Sequence, residues 1–193
     1  MEEQILFPSY IVLDIPSPMA EEIRRLRSRF DAVRASLPAE ITLTGSCGVG
    51  LIRQGQTIRS VVEEMQKIAS RFPPFATAFD HVERFQNTDI YFLTVRDPGY
   101  FIELNRAFAE SAIEFEPNPY PYKPHCTLKL RSKPTEQELF DLFFLNAPGG
   151  EFVLDTLSLY GMHDMNSCEL LAKVELQKAP PPPPAPAFPD ATH

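Results

Sequence analysis

The feature that most constrains this chain is an order of elements that occurs twice. Apolar spacing predicts a strand over 8–15, a helix over 17–37, a short strand over 40–44, a helix near 57–72 and a strand over 75–85. The first helix opens with Ser17 as N-cap, Pro18 at its first position and acidic residues in the opening turn. Its stripe is Met19, Ile23, Leu26, Phe30, Val33 and Leu37, and that of the second helix is Ile58, Val61, Met65, Ile68 and Phe72. The order then recurs as strand 89–96, helix about 100–113, strand 125–130, helix about 134–145 and strand 151–160, with a closing strand over 168–176. Equivalent elements stand roughly 75 to 85 residues apart.

Two long copies of this kind predict an α+β fold of duplicated strand-helix-strand-helix-strand lobes. Mostly antiparallel sheets face a central groove, with helices outside. The expected organisation is a single bilobal domain over 1–178, with pseudo-repeats about 8–86 and 87–178. Residues 179–193 hold seven of the twenty prolines and are expected to form a disordered, polyproline-II-like tail. That tail is either an inert extension or a ligand for a partner with an aromatic groove.

Composition narrows the function. A formal net charge of −8 argues against an extended nucleic-acid surface, which needs many Lys and Arg side chains against phosphates, and leaves room for a small local anion pocket. No run of about eighteen apolar residues exists, and the acidic start MEEQILFPSY is unlike a secretory signal, so a cytoplasmic chain without a membrane span is expected. Cys47, Cys126 and Cys168 are too scattered for a zinc site and are expected to be reduced and structural. Neither a metal nor another cofactor is expected.

The short strands at equivalent places in the two repeats read Glu40-Ile41-Thr42-Leu43 and His125-Cys126-Thr127-Leu128. Alternation puts Glu40 with Thr42 on one face, and His125, Thr127 and Lys129 on another, with apolar side chains opposite. Two such faces across a groove suit a phosphate, with hydroxyls for its oxygens and a titratable group on each side of phosphorus.

These paired motifs, in duplicated elements over about residues 8–176, resemble the two-histidine phosphoesterase superfamily, which includes the 2'-5' RNA ligase-like proteins and RNA 2',3'-cyclic phosphodiesterases. That resemblance implies one histidine as general base, the other as general acid, and two hydroxyls that orient the phosphate. His125 and Thr127 match the second motif and Thr42 the hydroxyl of the first; Glu40 stands where the first histidine would be. A carboxylate at about 4 Å from a phosphodiester costs ~1 to 4 kcal/mol of repulsion. It could still serve as a base, and would favour protonated His125. The implied function is a metal-independent phosphoesterase, weakened in its first motif, that acts on a 2',3'-cyclic phosphate or 2'-5' phosphodiester of a nucleotide or RNA terminus. The alternatives are an inactive relative that binds a nucleotide or RNA end, and a protein-interaction module.

Further candidates surround that groove. Lys129 either offsets the charge of Glu40 or lies along the rim. Tyr120 and Tyr122, in the Pro-rich approach EPNPYPYKP, either stack on a base or pack the connection. Arg53 is the basic candidate on the first lobe for a terminal phosphate, and His163, between the last two strands, is a candidate to lean over the site. His81 alternates with acids on a half-buried strand. The glycines of GSCGVG lack the Gly-Lys-Ser/Thr end of a phosphate loop.

Overall fold

The computed structural model describes residues 3–130, 132–164 and 166–177; the expectation for residues 179–193 lies outside them. The elements run β1 (Ser9–Asp14), α1 (Met19–Phe30), α2 (Ala32–Ala35), β2 (Glu40–Thr42), α3 (Ile58–Ala69), β3 (Phe75–Thr77), β4 (Phe79–Arg84) and β5 (Tyr91–Val95). They continue as α4 (Gly99–Ala109), β6 (His125–Lys129), α5 (Glu136–Phe143), β7 (Phe152–Leu154), β8 (Thr156–Asp164) and β9 (Ser167–Glu175). Every pairing is antiparallel: β2-β1-β8-β9, β4-β5-β6 and the short β3-β7 pair. The fold is α+β, and the repeated order of elements is intact.

In both repeats the strand after the second helix changes partners midway. The first repeat's divides at Ala78, so that β3 joins β7 and β4 joins β5 and β6 of the second repeat. The second repeat's divides at Asp155, so that β8 joins β1 and β2 of the first. Each sheet is therefore assembled from strands of both halves of the chain. In this pseudo-two-fold arrangement β1 matches β5, β2 matches β6, and β8 matches β4.

Register separates core from groove. Ile11, Leu13, Ile41, Leu157 and Leu159 lie fully buried on one face of the larger sheet, and Leu93, Cys126 and Leu128 do so in the smaller one. The opposite faces carry Tyr10, Asp14, Glu40, Thr42, Ser158 and Tyr160 in the first sheet, and Phe92, Thr94, His125 and Thr127 in the second.

The first helix differs from its expected span in an informative way. Pro18, not Ser17, holds the N-cap position, and the Ser17 hydroxyl donates to Glu21 at 2.9 Å. The helix breaks at Asp31, whose carboxylate accepts from the Arg34 amide at 2.9 Å and so caps a new short turn, α2. A short acid that competes for backbone N–H groups ends one helix and starts another. That break aims Arg34 at the sheet.

Candidate functional site

β2 and β6 lie side by side, their Cα atoms approaching within 8 Å, so the two hydroxyl-bearing strands meet as their equivalence in the repeats predicts. Their chemistry differs. His125 is 3% exposed, and its Nδ1 lies 2.7 Å from the Lys123 carbonyl oxygen. A carbonyl only accepts, so the neutral ring carries its proton on Nδ1 and presents the Nε2 lone pair. Nε2 has no hydrogen-bond partner among the described residues, and the rings of Phe85 and Phe92 stand edge-on at 5.1 and 5.2 Å. Burial pushes the His125 pKa down to about 4, opposed by the Lys123 carbonyl and assisted by the positive charges of Arg34 and Lys123. His125 is thus neutral at pH 7. A neighbouring Glu40 was expected to favour the protonated ring; the charges that bear on it are positive instead.

Glu40, also 3% exposed, is held by two guanidinium groups. Arg34 bonds its Oε1, and Arg27 Nη2 stands 3.6 Å from Oε2. A buried carboxylate persists through such partners, here one hydrogen bond from Arg34 to Oε1 and the charge of Arg27 beside Oε2, which accepts no hydrogen bond among the described residues. The first-motif position is consequently an ion cluster rather than a free acid or base. Arg27 is completely buried and binds across elements: Nε donates to the Thr127 carbonyl at 2.8 Å, Nη1 to the Pro38 carbonyl at 2.7 Å, and Nη2 approaches Cys126 Sγ at 3.6 Å. It fastens α1 to β6 and to the approach to β2. Tyr10 and Tyr160, stacked at 5.9 Å on the Glu40 face, stay protonated; burial, with the nearby carboxylates, raises both phenols.

Thr42 and Thr127 supply the hydroxyls. Neither side chain has a hydrogen-bond partner among the described residues, whereas both carbonyls are engaged, Thr42 by the Tyr122 hydroxyl at 3.0 Å and Thr127 by Arg27. Tyr122 therefore packs against the first-motif strand, while Tyr120 is 66% exposed. The loop after β2 zips onto the segment before β6: Gly48 N donates to the Tyr120 carbonyl at 2.9 Å and Asn118 Nδ2 to the Gly45 carbonyl at 2.8 Å. A Cβ at Gly50, whose φ is +97°, would collide with the Glu116 carbonyl, which explains that glycine without any phosphate-loop role.

Lys129 lies elsewhere than alternation places it. Phe92 pairs with Thr127 but Tyr91 with Lys129, so a bulge in β6 moves Lys129 to the face opposite His125. There it is 1% exposed, donates to the Phe30 carbonyl at the end of α1 at 2.8 Å and to Ser132 at 3.2 Å, and lies 3.7 Å from Glu138. Its charge answers a helix C-terminus, not Glu40. Arg53 pairs on the surface with Glu114 and Glu116 at 3.0 and 3.5 Å. His163 pairs with Glu169 at 3.0 Å and abuts Phe7. Neither joins the Glu40–His125 cluster. His81 lies between Asp80 and Glu83 and contacts Thr94 on the His125 face, where Glu83 binds Lys123. Among the described residues no cluster of three His, Cys, Asp or Glu side chains suits a metal, and no helix is long and apolar enough to cross a membrane. All three cysteines are free thiols.

Arg27 and Arg34 were the residues to find. Arg27 follows Ile23 by four and lies on the stripe of Met19, Ile23 and Phe30, and Arg34 follows seven later. A charge inside an apolar stripe was the available signal.

Known proteins with this arrangement agree on the fold. A structure of E. coli LigT complexed with 3'-AMP superposes with a TM-score of 0.62 at 17% identity, covering 91% of this chain and 100% of LigT. TT0787 of Thermus thermophilus does so with a TM-score of 0.61 at 15% identity, covering 88% and 97%. No curated protein matches in sequence. The model of the 2'-5' RNA ligase superfamily matches residues 15–166, most of the chain and both strands of the groove. This chain belongs to the 2'-5' RNA ligase superfamily, the two-histidine phosphoesterases.

Proposed function

We propose that this protein opens the 2',3'-cyclic phosphate of a nucleotide or RNA terminus by metal-independent hydrolysis, with His125 as its one proton-transfer group. Membership of the superfamily supports a phosphoesterase-type function. The observation that carries the reading is the state of His125, with Nδ1 fixed on the Lys123 carbonyl and Nε2 unpartnered beside the unengaged hydroxyl of Thr127. Such a ring keeps Nε2 unprotonated and able to accept a proton at neutral pH, as a weaker base than a free imidazole.

In the proposed step a water oxygen bonds to phosphorus while one ribose oxygen leaves. The water proton passes to His125 Nε2, the leaving oxygen takes a proton from solvent, and the ring returns its own to water. Thr42 and Thr127 donate to the non-bridging oxygens. Glu40, engaged by Arg34 and Arg27, supplies no proton. This one-sidedness is the chemical content of the weakened first motif.

The test is 31P NMR of adenosine 2',3'-cyclic monophosphate incubated with the full chain in excess EDTA. Ring opening to a phosphomonoester is expected, with His125→Ala slowing it about 10²- to 10⁴-fold. Undiminished turnover in that variant, or turnover only with added metal, would refute the proposal. The ion cluster at Glu40 favours a second reading, in which the groove holds a nucleotide or RNA end without turnover. Saturable binding with no product would select it.

A further inference from the structure

We infer that Arg34 is a phosphate-binding residue of the groove and that Glu40 is its positioning residue. The inference rests on the groove being the phosphate site, and holds whether or not turnover follows. Nothing in the paired motifs assigns this role, since Arg34 lies on α2, outside both.

The two arginines beside Glu40 differ in how their donors are used. Arg27 is completely buried, with Nε, Nη1 and Nη2 all engaged by Thr127, Pro38 and Cys126, which is the pattern of a structural strut. Arg34 donates from its side chain once, through Nη2 to Glu40 Oε1. Its Nε is buried without a partner, although the side chain as a whole keeps 14% of its surface exposed. Leaving a buried donor unpaired costs about 1 to 3 kcal/mol. A guanidinium also offers five donors in a planar fork suited to two oxygens of one phosphate. Arg34 is therefore an incompletely satisfied cation at the groove.

Its position fits that use. The Asp31 carboxylate fixes the Arg34 amide at 2.9 Å, and Glu40 fixes the guanidinium from β2. Through Glu40 it is anchored to β2, the strand that lies beside β6, and its charge bears on Tyr10 of the first sheet and on His125 of the second. A phosphate held by the Thr42 and Thr127 hydroxyls would enter the field of this cation, which pairs with Glu40 two residues before Thr42 on the same face of β2. The repulsion expected from a carboxylate at the first-motif position is thereby offset: Glu40 brings with it a guanidinium that keeps part of its surface exposed and makes one side-chain hydrogen bond among the described residues.

Calorimetric titration of the full chain with 3'-AMP, and with adenosine as the phosphate-free control, tests this. Removing both charges, in the double variant Arg34→Gln/Glu40→Gln, avoids stranding a buried carboxylate; its thermal unfolding without ligand reports that the fold is kept. Affinity for 3'-AMP is expected to fall about ten- to hundredfold, the value of charge-assisted hydrogen bonds, with adenosine unaffected. Arg34→Lys, which keeps the charge but loses the fork, should lie between. Glu40→Gln alone, which leaves Arg34 its charge but not its anchor, should weaken 3'-AMP binding severalfold with adenosine unaffected, and wild-type affinity in that variant would overturn the role of Glu40. Wild-type affinity for 3'-AMP in the folded double variant would overturn the role of Arg34 while leaving the groove as the phosphate site. A wild-type protein that binds neither 3'-AMP nor the cyclic nucleotide would instead remove the groove reading, and this one with it.

Discussion

β2 and β6 occupy equivalent places in the two sheets, yet one opens on a buried ion cluster and the other on a neutral histidine. The backbone keeps the symmetry because hydrogen-bonded ladders and apolar faces are insensitive to which polar side chain sits opposite the core. The chemistry loses it through two arginines that only the first repeat supplies. The helix equivalent to α1 in the second repeat is α4, and it sends Asn105 to the Leu43 carbonyl beside β2 at 2.8 Å. A neutral amide there does the tethering that Arg27 does beside β6, without bringing a charge. The difference teaches that a tether and a charge are separable, and that the first repeat has combined them.

The strongest way to break the comparison is Arg27→Ala. It removes one of the two cations at Glu40 and leaves the Thr127 and Pro38 carbonyls without their donor. A loss of about 3 to 5 kcal/mol in denaturant unfolding is expected, as for the breaking of a buried pair. Asn105→Ala removes only a neutral bond and should cost about 1 kcal/mol by the same measurement.

The neutral histidine gives β6 a pH signature. With the pKa of His125 lowered from 6.5 to about 4, the unfolded chain takes up a proton in that window which the folded chain refuses. Stability therefore rises with pH between about 4 and 6.5 and levels off above, a change on the order of 3 kcal/mol. Urea midpoints across that range, compared with His125→Asn, isolate the contribution; an unchanged slope in the variant would assign it elsewhere. Catalysis sharpens the same point. A base with this pKa keeps kcat/KM flat down to about pH 4, whereas an unperturbed imidazole would fail near 6.5.

Smaller effects belong to residues outside the asymmetry. Lys129→Met deprives the α1 carboxyl end of its cation and should cost about 1 to 2 kcal/mol in stability without altering KM. Arg53→Ala, which breaks only surface pairs, should change unfolding by less than about 0.5 kcal/mol and leave nucleotide affinity untouched.

Much of this architecture is legible in sequence because strand alternation and helical stripes are local. The matching of Glu40-Ile41-Thr42 with His125-Cys126-Thr127 placed two strands together that lie 85 positions apart, and β2 and β6 do meet. What escaped reading was non-local or irregular. The bulge that turns Lys129 away is a property of its pairing with β5, which no periodicity within β6 reveals. The division of the strands after α3 and α5, at Ala78 and Asp155, depends on partners in the opposite repeat. Arg27 was concealed because a charged residue on an apolar stripe is ordinarily assigned to solvent, and Arg34 because Asp31 redirects the helix.

The strand exchange between repeats has a consequence for how the protein comes apart. Severed in the hairpin between Arg84 and Tyr91, the chain would yield two fragments, the first stripped of β8 and β9 and holding β4, the second stripped of β4 and holding β8 and β9. Neither fragment retains an edge-to-edge ladder wide enough to survive alone, yet each carries the missing piece of its counterpart. Mixed, the two halves should reconstitute by complementation, and in the intact chain melting should be a single cooperative event that neither lobe undergoes without the other.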